Sequence, residues 1–282
     1  MDPKHLGKKI RNGILSSGTQ PYHKRNLKYK GHSIHWIHWI QAYEWDRNHN
    51  NFPIHNKLTD DHLYLNQQSK MRNHLAEQVL DAYIHHLMSE YQKSLGDKGQ
   101  FLNGSIELLS NTSKLVANYK DKRAIVAITD QRLSENMNVY RWFKEWEEDI
   151  EGNKDILPAR KNNCLISWQT RDDLASYVLG FQQLCEMHLS KPGYSVIPAL
   201  VNNDIVENVF CQQRGICNGA NTNPTYKLYK SGMSTVLLGQ SLKSRGRKSN
   251  AGMMTAEPFC FKAPNPLNPA KKMKLKTKNR LN

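Results

Sequence analysis

No run of apolar residues in these 282 positions approaches the roughly 18 that a membrane-spanning helix requires. The densest candidate, "HWIHWI", is interrupted by histidines. The opening stretch "MDPKHLGKKIRNGIL" has neither the apolar block nor the small-residue cleavage site of a secretory signal, so no leader and no membrane partner are expected. Cysteine is scarce. Five, at 164, 185, 211, 217 and 260, form an odd, scattered set that suits reduced thiols rather than a disulfide framework. Strand signals are sparse too, with "RAIVAI" (123–128) and "GYSVIPALV" (193–201) as the only candidates, and no internal repeat is visible.

Acidic residues are also in short supply, 25 Asp and Glu against 40 Lys and Arg, which gives a net charge of +15. The excess sits at the two ends. Residues 1–30 carry eight Lys/Arg against Asp2, and residues 243–282 carry eleven against Glu257, so the intervening 212 positions sum to −2. Basic ends on a near-neutral body favour a polyanion, of which nucleic acid is the commonest. A solvated tail that aids solubility or nuclear import is the plainer alternative.

The body reads as helical. A hydrophobic fraction of 38% and a mean hydropathy of −0.72 leave enough apolar side chains for a core. "SKMRNHLAEQVLDAYIHHLMSEYQ" places Met71, Leu75, Val79, Tyr83, Leu87 and Tyr91 on one stripe and predicts a single long helix. "SENMNVYRWFKEWEED" predicts another, capped by Ser134, with Val139, Trp142, Phe143 and Trp146 inward. In "TRDDLASYVLGFQQLCEMHLSKPG", Thr170 and Asp173 form a capping box and Pro192-Gly193 is the stop. Leu174, Tyr177, Val178, Phe181, Leu184 and Cys185 make the buried face there, which removes Cys185 from the chemical candidates.

Three clusters invite a chemical reading. His32, His35 and His38 recur every three residues, but a zinc site needs four converging ligands or the His-Glu-x-x-His pattern, and neither is present; packing is the better account. Cys211 and Cys217 lack the short spacing of structural zinc sites, and Gly7-Lys8-Lys9 lacks the rest of a phosphate-binding loop. Asp204 and Glu207, three apart, share one helix face. They fit a capping box, with Asp204 as cap, Glu207 as its partner and Gly215 as stop, and they equally fit a pair of metal ligands. Spacing alone leaves both open.

The segment containing them, "DIVENVFCQQRGICNGANTNPT" (204–225), is similar to the carboxy-terminal motif of P-element-like (THAP-type) DNA transposases. There an acid pair opens a helix ending in Phe, and an Asn-x-Asn-Pro-Thr segment follows. Three further blocks resemble that family in its order. "DPKHLGKKIRNGIL" (2–15) resembles its Asp-Pro-x-His-Leu-x-Lys segment, "KLTDDHLYLNQQSKMRNHLAEQVL" (57–80) its Lys-Leu-Thr helix pair, and "CLISWQTRDDL" (164–174) its Thr-Ser-x-Gln-Thr turn and helix.

The resemblance implies an RNase H-like nuclease and strand-transferase whose catalytic domain is split by a largely helical, GTP-binding insertion. Three carboxylates hold two Mg²⁺ ions in such an enzyme. Glu207 matches the third, and Asp204 the acid one turn before it. The family's first two catalytic aspartates, and its amino-terminal zinc finger, are expected upstream of the block at which this chain begins. Lys114, in "LLSNTSKLVANYK", falls where the family's guanine-binding acid belongs, and a lysine cannot accept a guanine's hydrogen bonds.

The resulting expectation is a mainly α chain. Residues 1–152 form a helical insertion-like domain, 153–163 a linker, 164–242 the terminal helices of a split RNase H-like domain, and 243–282 a disordered basic tail. Asp204 and Glu207 are vestigial catalytic residues, and Glu207 binds Mg²⁺ only if the missing aspartates are supplied. The chain itself holds neither Mg²⁺ nor GTP. Arg245, Arg247, Lys248, Lys271, Lys272, Lys274, Lys276, Lys278 and Arg280 bind nucleic acid. The expected role is non-catalytic and nuclear: association with DNA or chromatin, or assembly with like or unlike transposase chains. The rivals are the incomplete product of an active Mg²⁺-dependent transposase and an unrelated basic helical nucleic-acid-binding protein.

Overall fold

The computed structural model describes residues 2–49, 53–216 and 225–246. The chain divides into two compact units, Met1–Asn202 and Asn203–Asn282. Both are helical, and among the described residues the only sheet is one two-stranded hairpin in the first unit.

Unit 1 opens with α1 (Pro3–Leu15). Asp2 caps it by accepting from Lys4 N at 2.8 Å, and Pro3 follows at the first helical position, where its missing N–H costs nothing. Leu6, Ile10 and Ile14 are buried on one face, where α1 packs on α5 (Asn73–Gln78) and α10 (Trp168–Leu189). Next come β1 (Leu27–Tyr29) and β2 (His32–Ile34), paired antiparallel with Leu27 opposite Ile34. Lys30 at φ 46° and Gly31 at φ 80° turn the chain between them, the left-handed pair that a two-residue hairpin needs. Ser17 fixes the hairpin to the end of α1: its hydroxyl accepts from Leu27 N at 2.9 Å and donates to Ile34 O at 2.7 Å.

Helix α2 (Trp36–His49) buries Trp36 and Trp39, whose indole N–H groups donate to Leu63 O and Val79 O at 3.0 and 2.9 Å. Short helices α3 (Asp60–Leu63) and α4 (Gln67–Met71) lead through α5 to α6 (Ala82–Leu95). Helix α7 (Asn103–Lys120) packs against α6, β2 and α8 (Gln131–Gly152). Its approach to β2 depends on Gly104, where a Cβ would stand 3.1 Å from both His32 O and Ile34 Cγ1. On α8, Trp142, Phe143 and Trp146 cluster with Tyr29 of the hairpin, Tyr29 and Trp142 ring centres lying 4.8 Å apart. The short α9 (Pro158–Lys161) precedes α10.

Unit 2 is α11 (Asp204–Ile216) packed on α12 (Tyr226–Gly246). Gln213 and Val236 are buried there, and Gln213 Nε2 donates to Tyr229 O at 2.6 Å.

The mainly α expectation holds, as do the inward faces of α8 and α10, with Cys185 fully buried. Several local expectations do not. The long helix over 69–92 is three helices, because Asp81 accepts from Tyr83 N and Ile84 N and starts α6 afresh, which leaves Met71 and Tyr83 exposed. Asp130, not Ser134, caps α8, and Ser167, not Thr170, caps α10. The two expected strands reduce to a single bridge, Ile125 with Val196. Residues 153–163 contain α9, and residues 164–202 belong to unit 1, so the break between compact units comes after Asn202. Helix α12 continues to Gly246, four residues into the stretch 243–282 expected to be disordered. The rest of that stretch lies outside the described residues.

Candidate functional site

In unit 2, Asp204 and Glu207 lie in the first turn of α11, and both are exposed. Glu207 N donates to Asn203 O at 2.9 Å, so Asn203 holds the cap position and Asp204 is the first helical residue. The expected capping box is therefore displaced by one residue. Gly215 is not the stop; α11 includes it and runs to Ile216. What remains for the two acids is the favourable field of the helix amino terminus, and one exposed face on which both carboxylates can reach a cation. They are the only carboxylates among the described residues of unit 2. Mg²⁺ takes about six oxygen ligands, so two side chains on one turn do not by themselves fit a two-ion centre, and no cleavage step is derived through them.

Of the residues expected to bind nucleic acid, Arg245 falls in the last turn of α12. Arg247, Lys248, Lys271, Lys272, Lys274, Lys276, Lys278 and Arg280 lie outside the described residues. The basic amino-terminal segment, in contrast, is largely structural. Arg11 is fully buried, donating from Nη2 to Lys70 O at 2.6 Å and from Nε to Asn12 Oδ1 at 2.8 Å, and burial lowers its pKa to about 10. Arg25 Nη1 donates to Asn162 O and Leu165 O at 3.0 and 2.6 Å, and Lys9 pairs with Asp173. A charge count cannot see this, because backbone carbonyls satisfy a guanidinium without leaving a trace in the sequence.

The histidine cluster is packed, as expected. His35 Nε2 is 2.9 Å from Asn26 Oδ1, and burial, with His35 nearby, pulls the His38 pKa down to about 4. Cys211 is exposed on α11, and Cys217 lies outside the described residues. Lys114 projects from the exposed side of α7. One pair the motif reading passed over is Asp2 and His5 on α1, where a buried carboxylate oxygen lies 3.5 Å from His5 Nδ1. The Asp-x-x-His spacing was the available signal, since three residues on a helix bring two side chains together.

No protein-family model matches the chain, and no curated protein matches it. Among solved structures, it is similar to the Drosophila P element transposase strand transfer complex. The likeness has a TM-score of 0.56 at 18% sequence identity and covers 82% of this chain and 49% of that one. The fold is transposase-like. The chain spans about half the length of the protein it matches. Among the described residues, no helix is long and apolar enough to cross a membrane.

Proposed function

We propose that this chain is a transposase-derived, DNA-associating protein, with a helical insertion-like part in residues 1–152 and the terminal helices of an RNase H-like domain in 164–242. The fold likeness, spread over 82% of the chain, carries this reading. Four motif blocks in the family's order support it, and they favour it over an unrelated basic helical protein. DNA is the proposed polyanion because residues 243–282 carry a net +10 beside a transposase-like fold. The same clusters, "KSRGRK" and "PAKKMKLKTKNR", are proposed as nuclear-import signals. Assembly with other transposase-like chains is the proposed second mode of action.

The test is the salt dependence of duplex binding. Replacing Lys271, Lys272, Lys274, Lys276, Lys278 and Arg280 by Gln leaves up to six phosphates without a protein cation. Each such phosphate flattens the slope of log affinity against log salt by roughly 0.9, because one fewer counterion is released. An unchanged slope would assign binding to the folded units instead.

A second reading is favoured by one observation, that the chain covers only 49% of the protein it matches. In that reading these residues are part of an active Mg²⁺-dependent transposase, and Glu207 becomes a metal ligand alongside carboxylates from elsewhere in the longer protein. The 282-residue polypeptide alone is expected to show no Mg²⁺-dependent nicking. Cleavage that Glu207→Gln abolishes would establish the enzyme reading.

A further inference from the structure

Unit 1 has a basic surface with two exposed aromatic rings that the tail-based reading does not use. Arg25 builds it. Its backbone closes the loop 18–25 (Gly18 N donates to Arg25 O, and Arg25 N to Ser16 O, each at 3.0 Å), and its side chain pins that loop to residues 162–165. Asn26 N adds a bond to Asn163 O at 2.9 Å. Two exposed side chains on this stitched pair of segments are large and aromatic. Tyr22 is 78% exposed, and Trp168, the first residue of α10, is 65% exposed. Neither ring is left loose by its backbone. Ser167 caps α10 beside Trp168, accepting from Thr170 N. The Tyr22 ring centre lies 4.4 Å from that of His23, and the His23 ring sits so close on Gly18 that a Cβ there would stand 2.4 Å from it.

Positive charge gathers at the same place. Lys24 and Arg160 are exposed, and Arg171, bonded to Ile166 O at 2.8 Å, stands near enough to Arg25 to disfavour its protonation, second only to burial. Glu147 offsets part of this through its pair with Arg171 at 3.0 Å. Cations beside pre-positioned aromatic faces suit a strand with unpaired bases: phosphates meet the charges, and each base offers a face to a ring. A duplex keeps its bases stacked inside and has no such face to give.

We propose that the surface bearing Tyr22, Lys24, Arg160 and Trp168 binds single-stranded DNA, its bases stacking on the two rings. This rests on the DNA-associating reading above and adds a second contact to it, distinct from the tail.

The test uses the full chain with a labelled oligothymidine and a duplex of equal length, about 20 nucleotides, long enough to span one such site. Trp168→Ala is expected to weaken single-strand binding by roughly tenfold, the usual scale for removing one stacking partner. Duplex binding should stay within about twofold, since the duplex does not use the ring. Trp168→Phe should restore most of the affinity. Tyr22→Ala should act in the same direction as Trp168→Ala. Both rings are exposed, so the variants should melt with the wild type. Single-strand affinity unchanged in Trp168→Ala would overturn the surface, and so would an equal weakening on duplex. The six-residue tail variant separates the two proposals. If it loses all binding while Trp168→Ala loses none, the DNA reading stands and this surface falls. If the wild type binds neither DNA, both fall.

Discussion

His38 Nδ1 lies 2.7 Å from Ser105 Oγ, and both residues are buried, so one hydrogen bond joins α2 to the first turn of α7. Burial holds the imidazole neutral, with a pKa of about 4 against an ordinary 6.5.

The first prediction concerns acid. A histidine whose folded-state pKa is depressed contributes its full stability above the unfolded value, near 6.5, and loses it as pH falls toward 4. Unit 1 should therefore weaken between pH 6.5 and 4, His38 accounting for up to roughly 3 kcal/mol. His38→Gln should flatten that dependence in urea melts taken across the window. A pH profile identical to wild type would show that His38 is not the titrating group.

Ser105→Ala tests the bond itself. A buried imidazole nitrogen without a partner costs about 1–3 kcal/mol, and the cost should appear at about pH 7.5, where the ring is neutral in either state. No change there would mean that water replaces the hydroxyl.

At Gly104, a methyl group would gain helix propensity of up to about 1 kcal/mol. It would also meet His32 O and Ile34 Cγ1 at 3.1 Å, and the first of these is backbone of a paired strand that yields little. Overpacking of this kind costs about 1–3 kcal/mol, so Gly104→Ala should destabilise, and Gly104→Val more. A stabilised Ala variant in thermal melts would show that the hairpin shifts freely.

On α11, the cap position belongs to Asn203. Asn203→Ala should cost about 1 kcal/mol, and Asp204→Ala or Glu207→Ala only a few tenths each, from the helix field. Urea unfolding of the three variants ranks them. If Glu207→Ala is the most damaging, and Mg²⁺ stabilises the wild type alone, the carboxylate is holding an ion.

Much of the helical plan is legible in the sequence because α8 and α10 are long enough for their apolar stripes to repeat several times. The hairpin was not legible. Three residues per strand give a period-two pattern no room to show itself, and only Lys30-Gly31 marks the turn. Continuity misled at 69–92, where apolar residues keep helical spacing across the breaks and only Asp81 signals a new start. At the candidate site, the sequence located the acids but not the cap, since Asn203 and Asp204 are both good capping residues and stand side by side. Tyr22 and Trp168 come together through backbone bonds made by Arg25, which no residue pattern encodes.

The carbonyl partners of Arg25 lie 137 and 140 positions further along the chain, and α1 packs on a helix that ends at Leu189. A ribosome adding about 5–20 residues per second needs roughly ten to thirty seconds to deliver that stretch. Throughout that interval α1 has made its apolar face but not all that covers it, so the first residues synthesised are among the last to settle. Chaperone dependence during synthesis should accordingly centre on residues 3–15, and a nascent chain halted before residue 165 should leave Leu6, Ile10 and Ile14 open to protease.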